Sequence, residues 1–174
     1  MQRILVIGSC GAGKSTFSAR LGQILHLPVI HLDTQYWKPN WIEPDKSEWR
    51  ETVIEILRGD RWIIDGNYSG TLELRLAACD TVVFLDFSRY LCIYRVLKRA
   101  IRYRGKTRPD MASGCVEKID LSFLKWTWSY RERSRDGVVA MLYESKEHVA
   151  IHHLKSRDEA EIFLLRQSNS NVSV

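Results

Sequence analysis

Short apolar runs alternate along the chain with longer segments in which apolar residues recur every three or four positions. Runs of Ile, Val, Leu and Phe are typical of buried strands, and the periodic segments are typical of amphipathic helices. The predicted strands are 3–7, 29–32, 62–64, 81–85 and 149–152. The predicted helices are 14–25, 47–57, 71–78, 89–103, 121–135, 138–145 and 158–166. This alternation predicts an α/β fold with a parallel sheet.

Two irregular segments, 33–46 and 104–116, interrupt the pattern. Loops of this length inside a compact domain are usually functional or mobile. The chain has 174 residues and shows no repeat or linker, so we expect a single domain, 1–174. The Ser- and Asn-rich end, 168–174, predicts a frayed terminus.

The composition excludes several classes of protein. No apolar run approaches the roughly 18 residues that a membrane span needs, and the start of the chain has no signal-peptide pattern. The four cysteines are scattered, without the spacing of a metal finger. These features predict a cytoplasmic protein with reduced thiols and no membrane contact.

The net charge of +5 is unevenly distributed. Half of the 26 basic residues lie within 89–135, against four acidic residues. A positive field of this kind attracts phosphate groups, either of a nucleotide or of a nucleic acid. Charge alone does not choose between these two partners.

A complete phosphate-binding loop of the form G-x-x-x-x-G-K-S follows the first predicted strand and opens the first predicted helix. Its residues are Gly8, Ser9, Cys10, Gly11, Ala12, Gly13, Lys14 and Ser15, followed by Thr16. Glycines allow the backbone N–H groups to face phosphate oxygens, and the helix N-terminus adds its dipole. Lys14 reaches the β- and γ-phosphates, and the Ser15 hydroxyl can ligate Mg²⁺. The motif predicts binding of a nucleoside triphosphate with Mg²⁺.

Two further points concern the ligand of this loop. No N-K-x-D segment for guanine recognition follows a predicted strand, so ATP is favoured over GTP. Cys10 lies at a helix N-terminus, where a thiol can ionise at low pH, although a bound phosphate would compete for the same field.

Three aspartates follow predicted strands, and the carboxyl ends of parallel strands meet at the ligand-binding edge of the sheet. Asp65 precedes the glycine-containing stretch 66–70, and we favour it as a magnesium ligand together with Ser15. Asp86 is the alternative, although capping of the following helix explains it equally simply. Asp33 opens an aromatic-rich segment and suits a general base acting on a hydroxyl acceptor. A turn cap, with tryptophans filling the edge of the core, fits Asp33 equally well.

The basic segment contains Arg104, Arg108 and Arg131, which are candidates to neutralise a transferred phosphoryl group. The same side chains would also suit a nucleic-acid backbone or a solvated helix face. Arg131 and Arg135 are one helical turn apart, so both are expected on one face of a helix. The histidine pair 152–153 has no Cys or Asp neighbour in sequence, which argues against a metal site.

A set of motifs spread over nearly the whole chain carries a family resemblance. The set comprises 8–16, 32–33, Trp37, Trp41, 65–68, 84–86, Arg89, Arg95, Arg99, 104–115, Trp126, Tyr130, Arg131 and Arg135. On these residues the chain resembles the adenylate-kinase-like branch of P-loop kinases. More closely, it resembles the bacterial DNA topology modulation (FlaR-like) proteins.

The resemblance implies a three-layer P-loop NTPase fold with a five-stranded parallel sheet of order 2-3-1-4-5, helices on both faces and a lid at about 104–117. In this order the third strand lies beside the first, which favours Asp65 over Asp86 near the metal. Adenylate kinases carry an arginine for a monophosphate acceptor shortly after the counterpart of Asp65. The stretch 65–69 lacks this arginine, and Arg75 is a candidate substitute.

Two functions follow from these observations. The first is an ATP-dependent kinase that transfers a phosphoryl group from Mg-ATP to a nucleoside, nucleotide or other hydroxyl acceptor. The alternative is a nucleotide-binding regulator associated with DNA topology that acts without turnover. The chain has no helix-turn-helix, zinc-finger or RNA-binding signature, which argues against the alternative.

Overall fold

Five parallel strands form one sheet in the computed structural model, which describes residues 1–172. The strands are β1 Arg3–Gly8, β2 Val29–His31, β3 Trp62–Asp65, β4 Thr81–Leu85 and β5 Ala150–Leu154. Their order across the sheet is β2-β3-β1-β4-β5, and every pair is parallel. The predicted fold class and strand order are therefore confirmed.

Helices cover both faces of this sheet. They are α1 Lys14–Leu25, α2 Leu32–Tyr36, α3 Lys46–Leu57, α4 Leu72–Ala78, α5 Arg89–Arg102, α6 Leu121–Trp128, α7 Asp136–Ser145 and α8 Arg157–Val172. Side chains of β1 alternate between the faces, as the pleat of a strand requires. Ile4 and Val6 pack with α1 and α8, whereas Leu5 and Ile7 pack with α3, α4 and α7. The result is a three-layer molecule with an apolar core on each side of the sheet.

The strand register brings the candidate chemistry to one edge. His31 pairs with Asp65, and Asp65 lies level with Val6 near the end of β1. Gly8 lies level with Leu85, so the next residue, Asp86, emerges beside the start of the phosphate loop. Strand ends, rather than sequence neighbours, therefore build the site.

Several predicted element boundaries differ from the structure. The predicted helix 121–135 is interrupted, because α6 ends at Trp128 and a π-helical turn at Arg131–Arg135 precedes α7. Arg135 in this turn bonds to Asp86 at the end of β4, a tertiary contact that a local pattern does not contain. β5 continues to Leu154, because Leu154 pairs with Leu85. α2 and a 3-10 turn at Pro39–Trp41 form within the irregular segment 33–46.

The C-terminal end of the chain is helical over most of the part predicted to fray. α8 runs to Val172, beyond the predicted end at residue 166. The last two residues of the predicted frayed segment, 173–174, lie outside the described residues. Within 1–172 no helix has the length and apolarity needed to span a membrane. All four cysteines are free thiols.

Candidate functional site

The phosphate loop connects the end of β1 to the first residue of α1, Lys14. No side chain caps the N-terminus of α1 at Gly13, and the first turn contains no acidic residue, so its amides face the loop without a competing carboxylate. Gly11 has φ +78°, and a Cβ there would lie 2.3 Å from the Cys92 carbonyl oxygen of α5. The loop therefore requires glycine at position 11 both for backbone conformation and for its approach to α5.

Neighbouring elements hold this loop in place. Lys14 Nζ donates to the carbonyl oxygens of Gly8 (3.0 Å) and Ser9 (3.1 Å). Arg95 of α5 donates from Nη1 to the Ala12 carbonyl oxygen at 2.7 Å. The structure places Ser9 in a buried position, Ser15 half-buried and Thr16 exposed in the first turn of α1. The segment after β3 also contacts the phosphate loop, because the backbone N–H of Gly8 donates to Asn67 Oδ1 at 3.2 Å.

Cys10 shows which charged side chains converge on the loop. Burial raises the pKa of the Cys10 thiol, and Asp33 raises it further. Lys14, Arg99 and Arg108 act in the opposite direction, so all four charged groups lie within electrostatic reach of the thiol. The net shift raises the pKa of the Cys10 thiol, so a low-pKa thiolate does not form at this helix N-terminus.

Asp65 and His31 form a buried pair at the ends of β3 and β2. Asp65 is 3% exposed, and its Oδ2 lies 2.6 Å from His31 Nδ1. This hydrogen bond raises the pKa of His31, and Asp110 and Asp33 add to the effect. The pairing follows from the register of β2 on β3, so no sequence pattern places His31 in the site.

Asp33 accepts a hydrogen bond from a tyrosine rather than capping a turn. The Tyr68 hydroxyl donates to Asp33 Oδ1 at 2.6 Å. Burial raises the pKa of Tyr68, and Asp33 adds to the shift, so the phenol stays protonated as a donor. Among residues 1–172, the Tyr68 hydroxyl is the hydrogen-bond partner of the Asp33 carboxylate. Asp33 Oδ2 is therefore available to a ligand.

Arg75 fixes the loop that carries Tyr68. It is fully buried, and its guanidinium donates to the carbonyl oxygens of Gly66 (2.9 Å), Asn67 (2.6 Å) and Tyr68 (2.8 Å). A fourth bond reaches the carbonyl oxygen of residue 71 at 3.3 Å. Burial lowers the pKa of Arg75 to about 10. Its donors are directed to the backbone, so the suggestion that Arg75 binds an acceptor phosphate is wrong.

Aromatic side chains line the same side of the site. The Tyr36 ring contacts Trp37, Trp49 and Tyr68, with centroid distances of 5.0, 5.0 and 4.6 Å. Trp49 is buried, as expected for a residue at the edge of the core, whereas Trp37 and Trp41 are half-buried. The aromatic cluster therefore combines packing with a partly open surface beside Asp33.

Segment 104–117 contacts the turn at Pro39–Trp41. The Trp41 indole N–H donates to the Val116 carbonyl oxygen at 3.0 Å, and the backbone N–H of Asn40 donates to the Gly114 carbonyl oxygen at 3.2 Å. These contacts join the segment to the aromatic-rich region that follows Asp33.

The three predicted phosphate-binding arginines have different surroundings. Arg108 is 6% exposed, with Nη1 at 3.1 and 3.0 Å from the Asp110 carboxylate oxygens and Nε at 2.7 Å from Glu117 Oε2. Arg99 Nε lies 3.3 Å from Glu117 Oε1. Arg104 and Arg131 are exposed. Arg108 is therefore buried and paired with two carboxylates, whereas Arg104 and Arg131 lie at the surface.

Two basic side chains contact the Asp86 carboxylate. Arg135 Nη2 donates to Asp86 Oδ2 at 2.7 Å, and His153 Nε2 lies 2.8 Å from the same oxygen. Burial alone would raise the pKa of Asp86, but the bonds from Arg135 and His153 outweigh it and hold the pKa below its usual value. The cap of α5 is Ser88, which accepts from the Leu91 N–H, so Asp86 is not the helix cap.

The donor set suits a magnesium ion that is held mainly by phosphates. The described part of the chain contains no group of three or more His, Cys, Asp or Glu side chains able to hold a metal by themselves. Mg²⁺ in phosphate-transfer sites typically uses one or two protein oxygens together with phosphates and water. The Ser15 hydroxyl and the second oxygen of the Asp65 carboxylate, whose Oδ2 contacts His31, are oxygens of this kind, whereas Asp86 contacts both Arg135 and His153.

Comparison with known proteins identifies the fold. No protein-family model matches the chain, and no curated protein matches it in sequence. A shikimate kinase from Acinetobacter baumannii in complex with shikimate has a TM-score of 0.58 and 17% identity, covering 99% of this chain and 94% of that chain.

Two further solved structures match over similar lengths. A sugar kinase from a Janibacter species has a TM-score of 0.54 and 15% identity, covering 95% of this chain and 91% of its own. A gluconokinase from Sinorhizobium meliloti has a TM-score of 0.52 and 17% identity, covering 98% and 95%. At these identities the likeness shows the fold alone. The chain has the five-stranded, all-parallel fold of P-loop kinases.

Proposed function

We propose that the protein is an ATP-dependent kinase that phosphorylates a hydroxyl group of a small molecule. The observation that carries this proposal is the complete phosphate loop between β1 and α1, in which Lys14 Nζ donates to the Gly8 and Ser9 carbonyl oxygens. Asp33 follows β2 at the same edge of the sheet, and a phosphate-binding lysine and a positioned carboxylate are groups that phosphoryl transfer uses. The kinase fold of the neighbouring structures supports the same conclusion.

The phosphate loop forms the donor half of the proposed site. The amides of residues 8–16 and the Lys14 ammonium bind the triphosphate, and Lys14 gives up its contacts with Gly8 and Ser9 to do so. Ser15 and Asp65 would hold Mg²⁺, with His31 orienting the Asp65 carboxylate. When bound, Mg²⁺ neutralises phosphate charge and aligns the terminal group. Adenine remains the favoured base, because no guanine-recognition segment is present in the sequence.

Asp33 is the proposed general base of the acceptor half. Tyr68 fixes Oδ1, so Oδ2 accepts the proton of the acceptor hydroxyl. The acceptor oxygen forms a bond to the γ-phosphorus, the bond from that phosphorus to the β–γ bridging oxygen breaks, and ADP leaves. Most of the rate enhancement comes from positioning and charge neutralisation.

Segment 104–117 is the proposed lid. Arg108 is paired with Asp110 and Glu117 in this structure and is proposed to exchange one of them for phosphate oxygens when the donor binds. Arg104 and Arg131, which are exposed, are proposed to reach the phosphates only on closure. Water exclusion by the lid protects the transferred group from hydrolysis.

The finer family assignment, to the DNA topology modulation proteins, remains a proposal from sequence, as does the cytoplasmic location. The DNA-associated alternative is not favoured, because the sequence has no helix-turn-helix, zinc-finger or RNA-binding signature.

ADP release across a panel of hydroxyl metabolites tests the proposed function. At least one acceptor should raise ADP formation above the rate with ATP and Mg²⁺ alone, and Lys14→Ala should abolish it. Lys98→Ala, at an exposed position of α5, is the matched control and should keep the wild-type rate. A panel without any active acceptor, together with unchanged nucleotide affinity in Lys14→Ala, would refute the kinase assignment.

A further inference from the structure

Helix α5 presents a row of large apolar side chains to solvent. This row, the α5 stripe, consists of Tyr90, Tyr94, Leu97 and Ile101, which are 71%, 61%, 36% and 69% exposed. The helix packs against the interior of the protein through a different face, whose buried residues are Cys92, Val96 and Ala100. The stripe is therefore apolar surface that the core of residues 1–172 does not use.

The spacing of the α5 stripe is that of a seam between two helices. Its residues are four, three and four positions apart, which is the alternation of a and d positions in a heptad. Residues with this spacing share one narrow face, and here that face runs the length of α5, Arg89–Arg102. Solvent-facing positions of a helix in a globular domain usually carry polar side chains instead. The pattern is therefore typical of a helix that packs against another helix.

The α5 stripe is complementary to a second copy of itself. When two α5 helices run antiparallel about a twofold axis between residues 95 and 96, Tyr90 faces Ile101 of the second copy. In the same register, Tyr94 faces Leu97 of the second copy. Each tyrosine ring thus meets an aliphatic side chain along the whole seam. A contact in which both copies use the same surface closes on itself as a dimer.

The exposed apolar area is large enough for such an interface. Trp128 of α6 extends the stripe, because its ring centroid lies 5.3 Å from that of Tyr90. An aromatic side chain has roughly 200 Å² of surface, so Tyr90, Tyr94 and the 40% exposed Trp128 together expose about 340 Å². With Leu97 and Ile101, each copy offers roughly 500 Å² of apolar surface, so a dimer would bury about 1,000 Å², the lower limit for specific interfaces.

We propose that the α5 stripe is the interface of a homodimer in which two α5 helices pack antiparallel. The charges on α5 add a condition, since the helix has no acidic residue and the exposed Lys98 and Arg102 lie beside the stripe. Like charges of the two copies oppose association, so added salt should strengthen the dimer by screening them. Arg95 holds the phosphate loop from another face of α5, so the interface leaves that contact intact.

Sedimentation velocity over a range of protein concentrations tests the interface. The wild type should form a dimer whose fraction rises with protein concentration and with added sodium chloride. Leu97→Glu and Tyr94→Glu place charges near the twofold axis and should each leave only monomer, with the circular dichroism spectrum of the wild type. Tyr143→Glu, at an exposed tyrosine of α7, is the matched control and should dimerise normally.

Disulfide crosslinking tests the antiparallel register. A mixture of Tyr90→Cys and Ile101→Cys proteins, oxidised with copper phenanthroline, should give a covalent dimer, because the two positions face each other across the seam. Either variant alone should stay monomeric on a denaturing gel, because identical ends of the two helices lie far apart. The wild type is the blank, since its thiols are buried apart from the half-buried Cys10.

Four results would overturn the proposal, and none of them bears on the kinase assignment. The first is a wild type that stays monomeric at every concentration. The second is a dimer that persists in Leu97→Glu and Tyr94→Glu, or that added salt dissociates. The third is crosslinking of Tyr90→Cys alone, which would indicate parallel helices. The fourth is a monomer that binds phosphatidylserine vesicles and loses this binding in Leu97→Glu, because a lipid surface would then cover the stripe.

Discussion

Replacement of Arg75 by methionine tests how the acceptor side of the site is held. The side chain is fully buried and donates four hydrogen bonds to backbone carbonyl oxygens of the loop 66–71. Methionine fills much of the same volume and provides no donor. Tyr68, which has the unusual φ of 25°, loses its support, and its hydroxyl then no longer fixes Asp33.

The expected loss of stability follows from two opposing contributions. Four bonds from a cationic donor, at about 1.5 kcal/mol each, stabilise the fold by about 6 kcal/mol. Burial lowers the pKa of Arg75 from 12.5 to about 10. That shift corresponds to a penalty of about 3 kcal/mol on the charged form. The net loss for Arg75→Met is therefore about 3 kcal/mol, a large part of the stability of a domain of this size.

Urea unfolding of wild type and variant gives this difference in the free energy of unfolding. Arg50→Met, at an exposed position of α3, is the matched control and should change it by less than about 0.5 kcal/mol. A loss below about 1 kcal/mol for Arg75→Met would show that the guanidinium does not clamp the loop. An unchanged stability with a raised KM for the acceptor would instead restore Arg75 as an acceptor-binding residue.

Two other substitutions test the loop and the cluster beside it. Gly11→Ala should prevent nucleotide binding in a thermal-shift assay, because the new Cβ would meet the Cys92 carbonyl oxygen. The control is Gly105→Ala, since Gly105 has a similar φ of +71° but no atom near the position of a Cβ. This control should bind nucleotide normally. Normal binding by Gly11→Ala would contradict the close approach. Asp86→Asn should lower stability at pH 7 by about 1–3 kcal/mol by weakening the bond from Arg135. Because the pKa of Asp86 is lowered by folding, its contribution is present above the unfolded pKa, and the gap between variant and wild type should close as pH falls through the folded pKa. A gap that persists in acid would contradict this linkage.

The parts of the fold that depend on local pattern were predictable. The strand β1, the loop after it and α1 occupy adjacent positions in sequence, and their apolar runs and glycines define them. The interruption of the helix 121–135 was not predictable, because it accompanies the contact of Arg135 with Asp86 from a distant strand. The predicted boundaries of helices and strands were wrong where a tertiary contact, rather than the local sequence pattern, sets the end of an element.

The site shows the same division. Asp33 and Asp65 follow strands and could be chosen from sequence, but the pairing of His31 with Asp65 depends on strand register. Arg75 lies in an ordinary amphipathic helix, and nothing in that pattern shows that its guanidinium is buried against carbonyl oxygens.

Phosphorus NMR of the protein with ATP, Mg²⁺ and an acceptor selected from the metabolite panel tests the central claim most directly. The kinase assignment predicts that ATP signals are replaced by ADP and by one new phosphomonoester in equal amounts. Asp33→Asn should slow this conversion by about a hundredfold or more, as expected for loss of a general base. Inorganic phosphate in place of the phosphomonoester, or an unchanged rate in Asp33→Asn, would contradict the account.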